Sequence, residues 1–426
     1  MKPSKYNFYI SKGTKTIFFN AISLNYFTVK PEKEKLVKKI IEAPNSYLNE
    51  SSPFYNTLVN GKYIVPDDQV ELDVIREKYN NTINSKDYKL ILLPTLECNF
   101  RCWYCIQTHV KGKMSEAMVD RICRHLEFMI VHKKIKSLAI EWFGGEPFKY
   151  FNDVVKPISL FARDICAKYN IPFSSSATTN AYLITADIVD QMTDLNFKYF
   201  QITLDGDREH HNKTRVSKKG SSFDVILNNV NYICSKLEDA AVGLRVNYDN
   251  KNLLPDRIIQ QVNEVIDPKV KSKIEFSFKK VWQVDHVEKG QEKLKEAFSL
   301  IKKQNFGVTT DFCADSVPCY ANLKYYHAIS FNGNVYKCTA KESMHENALG
   351  YLDESGVIQW KDKKFEDKYY KPLFENSDCI DCKYLPVCMG PCPQHIENSK
   401  LENPQVGCTR KHDLSRFEDS ISNYCE

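Results

Sequence analysis

The amino-acid sequence predicts an α/β protein: a partial barrel of six βα units with a small N-terminal α+β module and a cysteine-rich C-terminal region. Short β-rich segments alternate with amphipathic helical segments between residues 86 and 305. A mixed strand and helix pattern precedes them, and regular periodicity fades after about Phe306, where cysteines crowd together. We therefore predict three regions, at residues 1–85, 86–305 and 306–426.

The N-terminal region begins with alternating apolar and polar residues from about Tyr6 to Val29, around the turn-like segment SKGTKT. This pattern predicts a β-hairpin. The segment PEKEKLVKKIIEAP then predicts a helix, and LVNGKYIVPDDQVELDVIREKYN predicts a turn at Gly61, a short strand, a second turn and another helix. Residues 1–85 are expected to form one α+β module.

The middle region contains six strand-like segments, each followed by a helical pattern. The strand segments are LILLPT, LAIEWF, SSATTN, YFQITLD, GLRVNY and IEFSF, and the helical ones lie near residues 114–132, 152–169, 184–194, 221–237, 253–266 and 289–304. Repeated βα units predict a parallel sheet. Six units are too few for an eight-stranded barrel, so an open or partial barrel is expected.

Composition narrows the classes of function. The chain has 426 residues, of which 42% are hydrophobic and 27% charged, as in ordinary globular proteins with two or three domains. The net charge of +5 arises from 59 basic and 54 acidic residues spread along the chain, which gives no reason to expect a nucleic-acid partner. The sequence shows neither a secretion signal nor a long uncharged apolar run. We expect a cytoplasmic protein without a membrane partner.

Cysteine is the unusual component. The chain has 15 cysteines, an odd number that fits poorly with complete disulfide pairing. Thiols in the cytoplasm stay reduced, so metal ligation is the leading explanation.

The segment LECNFRCWYC places Cys98, Cys102 and Cys105 on one short loop after a predicted strand. No fourth cysteine is near enough to complete a tetrahedral site. Structural metal sites use four protein ligands, whereas catalytic sites leave one position open. A [4Fe-4S] cluster has four irons, so three cysteines would leave one iron free. Incidental cysteines or a zinc site are the alternatives.

The spacing Cys-x3-Cys-x2-Cys, with Tyr104 before the last cysteine, resembles the signature of the radical S-adenosylmethionine (SAM) superfamily. The segments WFGGEPF, TTNA and ITLDGDREHHNKTR follow later strands in the order that this family shows. The resemblance implies that Cys98, Cys102 and Cys105 are catalytic and hold a [4Fe-4S] cluster. It also implies a set of SAM-binding residues: Tyr104, Gly144, Gly145, Glu146, Thr179, Asn180, Thr203, Asp205 and Arg215.

The resemblance gives these residues expected roles. The two glycines would let the backbone approach the ligand, and Glu146 would support the segment that holds the methionine amino group. Thr203 and Asp205 would contact the ribose, and Arg215 would pair with the SAM carboxylate, a geometry that suits a guanidinium. The cluster would donate one electron to SAM, which would split into methionine and a 5'-deoxyadenosyl radical. A low-potential donor such as ferredoxin or flavodoxin would supply the electrons.

The C-terminal cysteines resemble the SPASM extension of this superfamily, which carries two auxiliary [4Fe-4S] clusters. The resemblance assigns Cys313, Cys319, Cys338 and Cys392 to the first cluster. It assigns Cys379, Cys382, Cys388 and Cys408 to the second. Together with the radical site this makes three clusters, and metal binding would supply folding free energy to a nearly irregular region. Zinc knuckles are the alternative, because Cys-x2-Cys pairs also occur in zinc sites. Cys425 has no assigned role.

The resemblance implies chemistry more firmly than substrate. One interpretation is a maturase that installs thioether or carbon–carbon crosslinks in a ribosomally made precursor peptide. The alternative is an anaerobic sulfatase-maturating enzyme, which forms formylglycine. Those enzymes carry an Asp base after the cysteine of the Gly-x4-Cys motif, where this chain has Thr339. A lower alternative is a non-catalytic relative that binds peptide or carries electrons.

The N-terminal module also favours the maturase. It resembles the PqqD-like, winged-helix-like element that binds a leader peptide by adding a strand to a sheet edge. The expected partner is then a precursor peptide with leader and core segments. A structural cap on the barrel is the alternative, and the barrel and its clusters are expected to fold without a leader-binding module.

Overall fold

A computed structural model describes residues 1–47, 49, 53–217, 220–309, 318–340, 347–362, 366, 369–393, 408, 417–418, 421–422 and 425. The chain divides into two compact units. The first comprises Met1–Ser85, Thr310–Lys324 and Lys364–Glu426, and the second comprises Lys86–Thr309 and Tyr325–Lys363. The boundary expected after residue 85 coincides with a unit boundary, whereas residues 306–426 are divided between the two units.

The strands are, in chain order, β1 Lys2–Pro3, β2 Asn7–Lys12, β3 Lys15–Asn20, β4 Tyr26–Val29, β5 Ile64–Val65, β6 Asp87–Leu93, β7 Ser137–Trp142, β8 Phe173–Thr179, β9 Phe197–Leu204, β10 Ala241–Tyr248, β11 Ile274–Lys280, β12 Gly307–Val308, β13 Tyr326–Ser330, β14 Asn334–Tyr336, β15 Gly350–Leu352 and β16 Ile358–Trp360. The α-helices are α1 Pro31–Glu42, α2 Pro44–Tyr47, α3 Pro53–Asn60, α4 Glu71–Ile83, α5 Glu116–Val131, α6 Lys156–Lys168, α7 Ala186–Met192, α8 Arg208–Thr214, α9 Ser222–Lys236, α10 Pro255–Val265, α11 Gly290–Lys303, α12 Ser377–Ile380 and α13 Leu385–Cys388.

The second unit is built on an 11-stranded sheet with the order β12-β11-β10-β9-β8-β7-β6-β13-β14-β15-β16. Strands β6 to β11 are parallel and neighbour one another in chain order. This succession, with a helix between each pair, is the one that a (β/α) barrel uses. All six predicted strands and the six predicted helices after them are present, so the α/β class and its parallel sheet are confirmed.

One face of these strands packs against the helices because the apolar residues alternate. In β7, Leu138, Ile140 and Trp142 are buried in the main hydrophobic core, whereas Ala139 and Glu141 between them are only half-buried. The same core contains the buried faces of α5, α6, α9 and α10. The other face of these strands carries mainly polar side chains, among them Glu141, Thr178 and Thr203.

The sheet extends beyond the predicted barrel. β13 pairs in parallel with β6, with Ala328 opposite Ile91, and β14 to β16 continue the sheet as antiparallel strands. Residues 325–363 therefore share a unit with the barrel. The sequence pattern did not predict these strands, because β14, β15 and β16 have three residues each, too few for a periodic signal.

The first unit contains the expected hairpin, formed by β2 and β3 around Gly13, which has a left-handed φ of 57°. β4 adds a third antiparallel strand, and β1 pairs with β5 in a separate two-stranded sheet. The predicted helices correspond to α1 and α4, whereas α3 was not predicted. No helix among the described residues is both long and apolar enough to cross a membrane.

Candidate cofactor site

The three-cysteine loop follows directly on β6, at the carboxyl end of the parallel sheet. Cys98 and Cys102 are partly buried and Cys105 is exposed. The backbone N–H of Phe100 donates to the Cys98 sulfur at 3.4 Å, and the N–H of Cys105 donates to the Cys102 carbonyl at 3.0 Å. Burial raises the pKa of the Cys98 thiol, and that of Cys102 to about 11. Without a bound cation these thiols therefore stay protonated at neutral pH, and a metal would deprotonate them on binding.

The two glycines after β7 lie against the backbone that leads into this loop. A Cβ atom on Gly144 would lie 2.4 Å from the Thr95 carbonyl oxygen, and one on Gly145 would lie 2.2 Å from that of Glu97. Gly144 also has a φ of 123°, which side chains other than glycine rarely adopt. The glycines therefore allow two backbone segments to touch, and their expected approach to a ligand stays a prediction.

Glu146 joins three segments of the site and is fully buried. Its carboxylate accepts hydrogen bonds from the Thr179 hydroxyl at 2.8 Å, the Asn180 N–H at 2.9 Å and the Phe148 N–H at 3.1 Å. Burial raises its pKa, although these donors oppose the change. Glu146 thus holds the end of β8 beside the loop after β7.

Asn180 connects this arrangement to the cysteines. Its side-chain amide donates to the Asn99 side chain at 2.8 Å and approaches the Cys98 sulfur at 3.7 Å. The chain Glu146, Asn180, Cys98 therefore fixes one side of the cysteine loop relative to the sheet.

Asp205, Arg215 and Tyr104 form a second buried cluster at the end of β9. Arg215 donates through Nε to Asp205 at 2.7 Å and through a terminal nitrogen to the Tyr104 hydroxyl at 2.9 Å. The Tyr104 hydroxyl in turn donates to Asp205. Although burial disfavours its charge, Arg215 keeps a pKa well above its usual range because of Asp205. Thr203 lies two residues earlier on β9 and is half-buried.

Several residues of the site were not predicted. The imidazole of His211 is buried and accepts the Asp205 N–H at 3.3 Å, and Asn99 accepts from Asn180. Gln283, in the segment after β11, donates to the Tyr104 carbonyl at 2.9 Å. His211 and Asn99 lie inside the motifs that were recognised, but their bonding partners could not be deduced from spacing. Gln283 had no sequence signal.

Among the C-terminal cysteines, one group is close together in the first unit. Burial raises the pKa of Cys379, and nearby Cys388, Cys408 and Cys382 raise it further. The N–H of Cys382 donates to the Cys379 carbonyl at 3.1 Å.

The structure describes three of the four cysteines that are expected to bind the other auxiliary cluster. Cys313 lies outside the described residues, Cys319 and Cys392 belong to the first unit, and Cys338 belongs to the second.

The donor chemistry can be tested against an iron–sulfur cluster. Among the residues that the structure describes, no three His, Cys, Asp or Glu side chains converge on a position for a single metal ion. In a [4Fe-4S] cluster each thiolate binds a different iron, so its cysteines need not converge on one point. Three thiols on one loop with a buried, hydrogen-bonded frame fit such a cluster.

The fold and the geometry of the site together indicate the class of protein to which this part of the chain belongs. Residues 92–267 match the family model described as the Radical SAM superfamily, so this part of the chain is a radical SAM domain. This is the domain of a superfamily of enzymes, and the expected resemblance is confirmed.

Individual relatives agree with this class. The chain is 23% identical over 235 residues to the radical SAM cyclopropyl synthase TigE of Paramaledivibacter caminithermalis, covering 49% of this chain and 48% of that protein. It thus spans about half the length of this curated relative.

Solved structures share the fold. Streptococcus suis SuiB aligns with a TM-score of 0.51 and 15% identity over 96% of this chain and 99% of that one. SuiB bound to precursor peptide SuiA gives 0.50 and 17%, over 97% and 100%. Native anSMEcpe with bound AdoMet gives 0.55 and 16%, over 79% and 99%.

Proposed function

We propose that this chain is a radical SAM enzyme that modifies a ribosomally made precursor peptide by installing a thioether or carbon–carbon crosslink. The observation that carries the proposal is the frame around the cysteine loop, in which Glu146, Thr179 and Asn180 hold Cys98 and the Asp205–Arg215 pair binds Tyr104 of the same loop. Both parts lie at the carboxyl ends of parallel strands, where α/β sheets bind ligands.

Cys98, Cys102 and Cys105 would hold the [4Fe-4S] cluster in this site. SAM would lie beside it, against Tyr104, Gly144, Gly145, Glu146, Thr179, Asn180, Thr203, Asp205 and Arg215. When bound, the cluster and SAM supply the one-electron chemistry that removes hydrogen from an unactivated carbon. The protein's own contribution is to fix the loop, exclude water and orient the substrate.

Two auxiliary [4Fe-4S] clusters are part of the proposal. The proximity of Cys379 to Cys382, Cys388 and Cys408 supports one complete thiolate set. The other set would be Cys313, Cys319, Cys338 and Cys392. A low-potential donor such as ferredoxin or flavodoxin would deliver electrons.

The substrate proposal rests on the N-terminal module and on the relatives. SuiB, whose structure covers nearly the whole chain, is reported bound to a precursor peptide. In the present chain β4 is an edge strand with Tyr26 and Thr28 exposed. Formylglycine formation is the weaker candidate, because Thr339 stands where that activity needs an acid.

The β4 edge has backbone groups that point outward. The Asn20 N–H donates to the Asn25 carbonyl at 3.0 Å, so this pair faces inward between β3 and β4. Hydrogen-bonded and non-hydrogen-bonded residue pairs alternate along antiparallel strands. The register places Thr28 opposite Ile17 in a non-hydrogen-bonded pair, so the N–H and C=O groups of Thr28 point away from β3. An added leader strand would bond to these groups.

The activity is tested by anaerobic reconstitution and incubation with a short precursor peptide encoded beside this gene. We expect about twelve irons per chain and a mass change in the peptide that depends on SAM. Replacing Cys98, Cys102 and Cys105 together by Ala should remove about a third of the iron and abolish SAM cleavage. Stoichiometric zinc with little iron, or an unchanged peptide, would contradict the proposal.

The leader site is tested in the 426-residue chain with Thr28→Pro and Thr28→Val. Proline removes the outward N–H while the residue before it can stay extended. Thr28→Pro should therefore weaken leader binding about tenfold or more, whereas Thr28→Val, which keeps the N–H, should bind normally. SAM cleavage without peptide serves as the folding control. Equal affinity of both variants would place the leader elsewhere.

A further inference from the structure

The polar face of the barrel sheet continues past the strands that carry the recognised motifs. On β10, Leu244 and Val246 are buried in the main core, so Arg245 between them projects from the opposite face. Its register neighbours are Thr203 on β9 and Ser277 on β11. Arg245 therefore lies level with a predicted SAM-facing residue, one strand beyond the motifs.

Most charged groups on this face have partners. On this face Lys89 pairs with Glu141 at 2.9 Å, and beyond the end of β9 Arg215 pairs with Asp205 at 2.7 Å. Glu275, on the neighbouring strand β11, accepts the Tyr199 hydroxyl at 3.0 Å.

Arg245 differs from these groups. Its Nε donates to the neutral Asn247 side chain at 2.9 Å, and within the described ranges no carboxylate forms an ion pair with it. Burial lowers its pKa, and the Tyr104 phenol is the group that opposes this. A half-buried guanidinium without a counter-charge among the described residues, near Tyr104, has the chemistry that suits an anion.

The predicted carboxylate partner, Arg215, is less available. Its Nε and one terminal nitrogen already bind Asp205 and Tyr104, and taking Asp205 away would leave a buried carboxylate unpaired. A carboxylate that enters the site thus meets two guanidinium groups. Asp205 neutralises the charge of Arg215, whereas Arg245 has no acidic partner among the described residues.

We infer that Arg245, oriented by Asn247, binds a carboxylate in the reaction site. Two sources exist within the proposed function, on which this inference rests: the methionine carboxylate of SAM, and an acidic residue of the peptide substrate. For both sources the interaction at Arg245 is the same, because the guanidinium pairs with a carboxylate instead of with water.

The test measures phenylglyoxal modification of Arg245 in the anaerobic holoenzyme by peptide mass mapping, which needs no turnover. The cofactor probes are SAM and decarboxylated SAM. The peptide probes, added at high millimolar concentration with SAM present, are N-acetylaspartate N-methylamide and its asparagine counterpart. Arg163, half-exposed and paired with Asp164 outside the site, reports the reagent's activity.

Slowing by about tenfold with SAM but not with decarboxylated SAM would support the inference and assign the carboxylate to the cofactor. Slowing by the aspartate probe but not by the asparagine probe would support it and assign the carboxylate to the peptide. Slowing by neither acid, or equally by acid and amide, would overturn it. None of these outcomes depends on whether a precursor is modified, so failure of the proposed function is detected separately.

Arg245→Gln and Arg245→Lys give an independent measurement. If the cofactor supplies the carboxylate, Arg245→Gln should weaken SAM binding about tenfold or more, and Arg245→Lys should restore part of the loss. Binding of decarboxylated SAM should be equal in all three proteins. Equal losses for SAM and decarboxylated SAM would mean that Arg245 has a structural role and would overturn the inference.

Discussion

At the scale of single residues, Arg215 forms a buried ion pair with Asp205 and is also proposed to contact SAM. Substitutions can separate these two roles. Arg215→Ala removes the residue that the resemblance assigns to the SAM carboxylate, so under that assignment SAM affinity should fall about ten- to a hundredfold, while the iron content stays intact because no ligand is lost. It also leaves Asp205 buried without its counter-charge, so the thermal midpoint should fall. Equilibrium SAM binding, iron analysis and thermal unfolding measure the three effects.

Two variants control this prediction. Tyr104→Phe removes a hydroxyl but keeps the Asp205–Arg215 ion pair, so it should lower stability less. Asp205→Asn combined with Arg215→Ala removes both charges and should recover part of the midpoint lost in Arg215→Ala. Full SAM affinity in Arg215→Ala would show that Arg215 acts only within the protein.

The identity of the candidate residues could be predicted from motifs, but their partners could not. Glu146 was expected to support ligand binding, and the structure shows its carboxylate fully used by Thr179, Asn180 and Phe148. Such pairings depend on how β7 and β8 approach each other, which spacing along the chain does not encode. The same holds for Gly145, whose neighbour is the backbone of a distant loop.

At the scale of elements, the contact between the loop after β7 and the cysteine loop can be tested with Gly145→Ala. The added Cβ would lie 2.2 Å from the Glu97 carbonyl oxygen, and backbone cannot rotate away as a side chain can. We expect the cysteine loop to shift, with loss of iron from the radical site and of SAM cleavage. Iron analysis and the electron paramagnetic resonance signal of the reduced cluster measure this.

Gly290→Ala is the matched control. Gly290 begins α11, where an added Cβ would meet Val287 at 3.5 Å, an ordinary contact. This variant should keep wild-type iron and SAM cleavage. Normal iron in Gly145→Ala would mean that the Glu97 backbone moves without disturbing the cysteines.

A buried hydrogen-bond chain connects α5, β6 and β13 and predicts a pH dependence. His125 donates to the Gly356 carbonyl at 2.8 Å and accepts the Tyr88 hydroxyl at 2.6 Å, while His327 donates to Tyr88 at 3.1 Å. Burial lowers the pKa of His125 from 6.5 to about 4. Between these values the unfolded state binds more protons than the native state, so stability rises with pH.

The stabilising contribution of neutral His125 is thus complete above pH 6.5 and is lost as the pH falls towards 4. Lowering the pH to about 5.5 should cost about 1 kcal/mol through this residue. His125→Gln, which can still donate to Gly356 and accept from Tyr88, should show a smaller fall in thermal midpoint between pH 7.5 and about 5.5. His132→Gln, at the exposed end of α5, should match wild type. Identical pH profiles for all three proteins would exclude this role of His125.

The barrel elements could be predicted because each has its own signal. β6 to β11 have seven or eight residues each, apart from the six of β7; most alternate buried and less buried positions, and each precedes an amphipathic helix. β13 has five buried residues, but its parallel partner β6 lies more than 230 residues earlier in the chain. A pairing across that separation is decided by packing, which local periodicity cannot show.

At the scale of the whole molecule, the N-terminal module is not an independent body. Residues of β2, β3 and α4 share a hydrophobic core with the C-terminal cysteine region. Phe8 packs on Tyr384 with ring centroids 5.0 Å apart, and Tyr79 packs on Phe374 at 5.3 Å. The same unit carries the cysteines from Cys379 to Cys392, so the shared core favours proposed clusters that depend on the module, contrary to the expectation from sequence.

A protein that begins at Asn84 should therefore be insoluble or lose iron from the C-terminal clusters, since its remaining core would be exposed to water. A single substitution in the full chain tests the same idea without deleting the module. Tyr79→Ala removes a fully buried ring together with its 3.0 Å hydrogen bond to the Lys371 carbonyl, so it should cost about 3–5 kcal/mol. The expected result is a lower thermal midpoint and less than the full iron content, while the radical-site signal persists.

Leu36→Ala provides the comparison within the same unit. Leu36 lies on α1 and is 55% exposed, so its truncation should leave both the midpoint and the iron content unchanged. If Tyr79→Ala and the protein that begins at Asn84 both kept wild-type stability and all their iron, the shared core would carry little free energy. The module would then have no part in stabilising the C-terminal region. A loss confined to the auxiliary clusters would instead show that residues 1–85 stabilise the cluster region as well as offering a sheet edge.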